Sequence, residues 1–274
     1  MPTVLVTGAS RGIGHAIATH LASRGWDVTA GVRNHEDADR LRAEGIASVI
    51  LDVTDSKDIA ALGNSLPAQL DAVVNNAGIV VGGPMETLAP EELRRQLDVN
   101  VVGQIAVAQA VLPRLRASRG RIVFISSLNG KISFPLVGAY CASKFALEAA
   151  ADAMRLELKP WRIPVVVIEP AQTDTDMWRT ADAMAEGIAS ALPSDTRQLY
   201  DKHIAGLKKT IPTSQKMAVP PQKVAAVVEK ALTARHPRAR YVVGAGPKMQ
   251  LALMNRLPTG VRDRVLLAVA KQPG

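Results

Sequence analysis

The 274-residue chain is 47% apolar and 21% charged, a balance that suits one globular domain and, with no low-complexity run, argues against disorder. Cys141 is the lone cysteine and the five histidines form no HExxH or close pair, which excludes an intrachain disulfide scaffold and leaves no expected metal site. Lys and Arg number 33 against 25 Asp and Glu, a formal net charge of +8; no window reaches the eighteen or so consecutive apolar residues of a membrane span, and Met1-Pro2-Thr3 leads into a strand-like run rather than a secretory signal, so a cytoplasmic location is expected.

Val4-Leu5-Val6 reads as a buried strand, followed by a glycine-rich turn and a helix over roughly 12–24. A second strand at 28–32, a helix at 35–44, a third strand at 48–53, a helix at 55–66 and a fourth strand at 72–74 follow. Pro90 opens a long helix by supplying first-turn geometry, and Pro113 falls near its end. A fifth strand is expected at 121–126, a helix at 138–159 and a sixth strand at 164–169. Near-continuous apolar runs such as Val165-Val166-Val167-Ile168 indicate strands covered on both faces, hence parallel. From 171 to 219 the rhythm breaks into a helix-like stretch rich in Met, Ala and Leu that runs to about 207. Pro220-Pro221 then opens another helix and Arg240 to Gly244 gives a last strand. The expected fold class is α/β: a single Rossmann-type doubly wound parallel sheet of about seven strands with helices on both faces, plus a helical lid and C-terminal helices. No linker divides the chain, so residues 1–274 are expected to form one domain.

Thr7-Gly8-Ala9-Ser10-Arg11-Gly12-Ile13-Gly14 joins the first strand to the first helix. Glycines there let the backbone turn tightly and approach a pyrophosphate seated on the helix N-terminus. An NAD site usually has an acid about 20 residues further on, at the end of the second strand, to take the ribose 2′-hydroxyl. Here that strand ends Gly31-Val32-Arg33. Arg33, with Arg11 inside the turn, can meet a 2′-phosphate by charge-assisted bonds, so NADP(H) is favoured over NAD(H). Asp52, at the end of the third strand, is placed to accept from an adenine amino group or to serve as a turn or helix-cap residue.

Tyr140 and Lys144 are four apart on an expected helix and project from one face. A neighbouring ammonium favours tyrosinate, so Lys144 is expected to lower the Tyr140 pKa and fit the phenol to exchange a proton with a substrate hydroxyl or carbonyl. Ser127 lies thirteen residues earlier, at the carboxyl edge of the fifth strand, where open α/β sheets bind ligands. Asn75-Asn76-Ala77-Gly78 closes the fourth strand, and Asn100 sits inside a helix in Leu97-Asp98-Val99-Asn100-Val101-Val102-Gly103. Its helix propensity is poor; such an Asn bonds the backbone and bends the helix, or traps a water.

These segments, TGASRGIG at 7–14, NNAG at 75–78, ISS at 125–127 and YCASK at 140–144, resemble the short-chain dehydrogenases/reductases in order and spacing over about residues 3–175. The wording YCASKFALE, LDVNVVG and the stretch after Pro220 is similar to the hydroxysteroid and retinol dehydrogenase-like branch. The resemblance implies a catalytic tetrad of Asn100, Ser127, Tyr140 and Lys144. Tyr140 would be the acid/base, Lys144 would lower its pKa and hold the nicotinamide ribose, Ser127 would steady the substrate oxygen, and Asn100 would hold a water continuing a proton relay past Lys144. It implies cofactor contacts from Gly8, Ser10, Arg11, Gly12, Ile13, Gly14, Arg33, Asp52, Val53, Asn76, Ala77, Gly78, Tyr140, Lys144, Pro170, Thr173 and Thr175. The pattern departs at Pro170-Ala171, where the family usually has Pro-Gly and a cheap positive φ.

The resemblance also makes residues 176–218 a substrate lid. Leu128, Phe134, Val137, Met177 and Trp178, with Met85, offer an apolar wall with few charges, which suits a steroid-, retinoid- or lipid-like alcohol or ketone. A small-ketone or acyl-chain ketoreductase, and a non-catalytic dinucleotide-binding regulator, are the alternatives. Residues 1–219 hold 23 basic and 23 acidic side chains, whereas 220–274 hold ten Lys and Arg against Glu229 and Asp263, so the net charge belongs to the end of the chain. Over 247–274, Met249, Leu253, Leu257, Val261, Val265 and Val269 alternate with Lys248, Arg256, Arg262 and Arg264. That pattern fits peripheral contact with an anionic membrane or packing against the body or a second subunit. Nucleic acid is not an expected partner, and a homodimer or homotetramer is.

Overall fold

The protein is described by a computed structural model covering residues 1–175, 181–244, 246, 253–254 and 256–273. The strands are β1 (Thr3–Thr7), β2 (Asp27–Val32), β3 (Ala47–Ile50), β4 (Ala72–Asn75), β5 (Arg121–Ile125), β6 (Val165–Pro170) and β7 (Arg240–Val243). They form one seven-stranded sheet in the order β3-β2-β1-β4-β5-β6-β7, and every pairing is parallel. Sheet order reverses between β1 and β4, so the loops after these two strands flank a crevice, the place where open α/β sheets take ligands.

Strand alternation explains why both faces are covered. Val4 and Val6 point into one apolar cluster and Leu5 into the other. Val123 and Ile125 oppose Ile122 and Phe124 in the same way, as do Val166 and Ile168 against Val165 and Val167. Each such fully buried side chain contributes on the order of 1.5–3 kcal/mol from water exclusion. One face is covered by α1 (Gly12–Ser23), α2 (His35–Ala43) and α9 (Pro221–Thr233), with Ile17 and Leu21 sharing their cluster with Val224 and Val228. The other is covered by α3 (Ser56–Ser65), α5 (Gly103–Ser118) and α6 (Gly138–Glu157), through Leu62, Val107, Val111, Leu115 and Leu147.

Four boundaries differ from expectation. The strand expected at 48–53 ends at Ile50, because Asp52 Oδ1 accepts from Thr54 N at 2.8 Å and Thr54 Oγ1 at 2.7 Å and turns the chain. The long helix opened by Pro90 is broken: α4 (Pro90–Leu97) passes into one π-helical turn, Asp98–Val102, before α5. Pro113 lies inside α5, which ends where Arg119 adopts φ 56° and Gly120 N donates to Leu115 O. The stretch after 171 contains α7 (Ala181–Ala191) and α8 (Ser194–Met217), the latter running past 207 and through Pro212. The last described helix is α10 (Thr259–Val269).

Candidate active site

The glycine turn is locked to the β4 turn beside it. Gly8 and Gly12 adopt φ 62° and 58°, a region that costs other residues about 1–2 kcal/mol. A Cβ on Gly8 would lie 2.8 Å from Ala77 Cα, and one on Gly14 would overlap the Gly8 carbonyl and lie 2.5 Å from Asn76 Nδ2. Asn76 N and Ala77 N both donate to Thr7 Oγ1 at 3.0 Å, while Asn76 Nδ2 donates to Thr7 O and Gly8 O at 3.0 and 3.1 Å. The Asn76 side chain is therefore spent on shaping the turn. Helix α1 begins after Arg11 with no side-chain cap and no acid in its first turn, leaving its amides and the positive end of its dipole open to an anion. Ile13 packs on the core beneath.

Beside this turn lies a recess of about 430 Å³ lined by Ser10, Arg11, Arg33, Asn34, Asp37 and Arg40. Arg11 and Arg33 are exposed. Arg40 Nη2 donates to Ser10 O at 2.6 Å and lies 2.7 Å from Asp37, which fixes the rim. Arg40 and Asn34 were not legible as site residues, because they lie past the strand end that the dinucleotide pattern inspects. Burial pushes the Asp52 carboxyl up, but its bonds from Thr54 and the charge of Arg33 win and hold it low. Asp52 thus forms the turn, and the structure brings it within the field of Arg33. Val53 is 5% exposed and packs in the core against Gly103, not at an open surface.

At the other side of the crevice, α6 sets Tyr140 and Lys144 on one face below the end of β5. Ser127 follows β5, caps the short turn Leu128–Gly130 by accepting from Asn129 N at 3.2 Å, and hydrogen-bonds Tyr140. Lys144 is 4% exposed; its Nζ donates to Ile125 O at 2.8 Å and lies 5.7 Å from the Tyr140 ring centroid. Burial pulls the Lys144 ammonium down to about 8 against the opposing charge of Glu148. Burial also pushes the Tyr140 phenol up to about 12, although the Ser127 bond works the other way. Desolvation of the phenolate dominates, with the Lys144 ammonium turned toward the Ile125 carbonyl.

Asn100 sits in the π-turn, wholly buried. Its Oδ1 accepts from Ile79 N at 2.8 Å, and its Nδ2 donates to Ile79 O and Ser143 Oγ, both at 3.0 Å. Both amide hydrogens are consumed, so the side chain acts as a clamp and has no hydrogen left to give a water. Gly78 allows this, as a Cβ there would stand 3.3 Å from Asn100 Oδ1. Gln96 and Gln104 stand one turn to either side and do the same work, Gln96 on Ile79 O and Val81 N, and Gln104 on Ala77 O at 2.6 Å. These two glutamines were missed; their signal is the four-residue spacing of amides at 96, 100 and 104.

The loop after β6 closes the crevice. Pro170 ends the strand, Asp174 N donates to Val219 O and Val219 N to Gln172 O at 2.9 Å each, and Thr173 Oγ1 donates to Ala171 O. Ala171 is not among the described residues with positive φ, so the missing glycine costs the loop nothing. A Cβ on Gly12 would meet Thr175 Cγ2 at 3.3 Å, which puts Thr175 over the glycine turn.

A family model described as short chain dehydrogenase matches residues 2–186. The chain belongs to the short-chain dehydrogenase family. Mouse retinol dehydrogenase 7 is 33% identical over 98% of this chain and 89% of its own length. The NADPH-dependent 3-dehydrocapnine reductase of Ornithobacterium rhinotracheale is 33% identical over 97% and 96%. A solved short-chain dehydrogenase from Streptomyces avermitilis superposes with a TM-score of 0.73 at 29% identity, covering 98% of this chain and 95% of that one. As a short-chain dehydrogenase the protein is an oxidoreductase of CH–OH and C=O groups that uses a nicotinamide cofactor. The residues present fit that group: an open glycine cradle, an uncapped helix end and a cation-rimmed recess stand on one side of the crevice, with the Tyr140 corner on the other.

This short-chain dehydrogenase has a second recess, of about 260 Å³, lined by Pro84, Met85, Phe134, Pro135, Leu136, Gly138, Tyr200 and His203. It unites Met85 and Phe134 with α8 but not Leu128, which opens the turn after Ser127. Val137 flanks it and pairs with Gly83. Met177 and Trp178 lie outside the described residues. Leu136 holds φ 65° and is buried with Ile188 and Ile204, anchoring α7 and α8 over this wall. His203 and Leu136 were not foreseen as wall residues, since neither stands out by residue type.

Proposed function

We propose that the protein is an NADP(H)-dependent oxidoreductase of a hydrophobic alcohol or ketone, steroid-, retinoid- or lipid-like, with Tyr140 as acid/base. The observation that carries the reading is the half-buried Tyr140, its hydroxyl bonded to Ser127, one helical turn from the buried Lys144. The bound nicotinamide supplies or removes hydride. The neutral Tyr140 hydroxyl donates its proton to the carbonyl oxygen during reduction and is left as tyrosinate; in the reverse direction the tyrosinate, formed once the phenol has passed its proton on through the Lys144 amine, takes the proton of the alcohol. Ser127 Oγ steadies the same oxygen. Lys144 keeps N–H groups beyond the one given to Ile125 O, and these hold the nicotinamide ribose and renew the Tyr140 proton. Asn100 contributes by fixing Ile79 and Ser143 through its side chain.

The cradle of Gly8, Ser10, Gly12, Ile13 and Gly14 would seat the pyrophosphate, Asn76, Ala77 and Gly78 the adenosine side, and Pro170, Thr173 and Thr175 the carboxamide. Arg11 and Arg33, with Arg40 behind them, favour a 2′-phosphate, and a relative whose name is NADPH-dependent agrees. The apolar wall around Met85 and Phe134 supports a hydrophobic substrate, as does similarity to a retinol dehydrogenase. Exposed Phe145, Leu156 and Trp161 suit a homo-oligomer, and the exposed apolar face of α10 suits contact with an anionic membrane.

Cofactor oxidation against ketosteroids, retinal, acyl ketones and small ketones tests this. The expected result is turnover of the apolar carbonyls with NADPH at a kcat/KM at least tenfold that with NADH, and collapse of that ratio in Arg33→Ala. Turnover confined to small polar carbonyls, or equal use of NADH, rejects the reading.

A further inference from the structure

The face of α6 that carries Tyr140 and Lys144 continues one turn further to Glu148, which is 4% exposed. Lys131 Nζ stands 2.8 Å and Arg240 Nε 2.9 Å from Glu148 Oε2, and the Glu148 and Glu169 carboxyls share a hydrogen bond. Glu169 on β6 is 2% exposed and lies 3.4 Å from Arg240 Nε and 3.9 Å from Lys131 Nζ. Arg240 Nη2 reaches Asp152 Oδ2 at 2.7 Å, and Asp152 Oδ1 takes Arg155 at 3.2 Å. Gly130 keeps this cluster against the Lys144 turn: a Cβ there would lie 3.0 Å from Glu148 Cγ and from Ser126 Oγ, and 3.2 Å from Lys144 O. Two buried acids one turn behind a catalytic lysine are expensive to desolvate, and the proton exchange at Tyr140 does not use them.

We propose that Glu148 is a positioning residue of the reaction centre, its buried carboxylate keeping Lys144 an ammonium. Burial works to strip Lys144 of its proton, and among the groups facing it Glu148 is the charge that opposes the loss. Lys131 and Arg240 both sit on Oε2, and the Glu169 carboxyl shares a hydrogen bond with Glu148. Burial, then repulsion by Glu148, push the Glu169 carboxyl up to about 7. Of the other groups in the cluster, Lys131, Arg155 and Arg240 are cations and Asp152 is an acid paired with two of them. Tyr140 on the far side is neutral at these pH values.

The inference takes its consequence from the reading of Lys144 as a cofactor-holding ammonium, but its test needs neither substrate nor cofactor. The full chain carrying lysine labelled at ε-¹³C gives one resonance for each of twelve lysines, with Lys144 assigned by its loss in Lys144→Arg. In Glu148→Gln the Lys144 titration midpoint should fall by about one pH unit or more. In Glu148→Asp, which keeps the charge, it should stay within a few tenths of the unsubstituted protein. Glu148→Met, for which the same fall is expected, supplies the answer should Glu148→Gln not fold. An unchanged midpoint in Glu148→Gln, or in Glu148→Met where the first does not fold, or an equal fall in Glu148→Asp, overturns the proposal. Failure of the Tyr140 reading would instead appear as retained turnover in Tyr140→Phe, with these midpoints unaffected.

Discussion

At the scale of single residues, the Tyr140 corner is held in a state that disfavours charge on both of its titrating groups. Lys144 sits near 8 in the fold, against about 10.4 for a free side chain. Between those values the unfolded chain binds more protons than the folded one, so stability rises with pH over that window. Tyr140, near 12 in the fold against about 10 when free, has the opposite sign: its contribution is complete below 10 and is lost as pH climbs toward 12. Urea unfolding from pH 8 to 10 should therefore show rising stability that flattens above 10, and Lys144→Met should remove the rise; a parallel slope in Lys144→Met contradicts the assignment. That Tyr140, Lys144, Ser127 and Asn100 come together was legible because their order and spacing are specific. Their ionisation was not, because a helical face reveals which groups are neighbours but not how deeply they lie or where an ammonium turns. Asn100 shows the same limit: a poor helix former was visible in the sequence, the π-turn and the Ile79 clamp were not.

At the scale of elements, each loop at the crevice is braced by groups already committed to the fold. Thr7 and Asn76 tie the β1 and β4 turns together, and Val219 ties down the loop after β6. The helix α10 contrasts with them. Leu266 is buried, and past its end Gln272 Nε2 donates to His203 O and Lys271 Nζ to Lys209 O, so the tail is docked on α8. Val261, Val265 and Val269 nevertheless stand 46%, 38% and 63% exposed at four-residue spacing, with Arg262, Arg264 and Lys271 nearby. Of the alternatives drawn from the sequence, packing against the body describes Leu266, Lys271 and Gln272, and membrane contact is proposed for the exposed valines; Lys248 and Met249 lie outside the described residues. Flotation with phosphatidylserine vesicles should carry the full chain upward and leave Val261→Ser/Val265→Ser/Val269→Ser behind. Equal recovery of the two, or loss of neither in high salt, would assign the valines to another contact.

At the scale of the whole molecule, the sheet was readable because strands buried on both faces appear as unbroken apolar runs, as in Val165 to Ile168. Strand ends and helix breaks depended on side chains bonding to backbone far along the sequence, which no local pattern records. The sheet order brings the glycine turn after β1, the Asn76 turn after β4 and the Tyr140 corner beyond β5 to one edge, and this convergence makes a redox site of separately unremarkable parts. The central claim is that the Tyr140 hydroxyl moves the proton. Single-turnover oxidation of bound NADPH by the best carbonyl of the panel, compared between the unsubstituted protein and Tyr140→Phe, tests it most directly. The account predicts a fall of about a hundredfold or more in the rate, with NADPH affinity changed less than threefold; a rate preserved within a factor of two would contradict it.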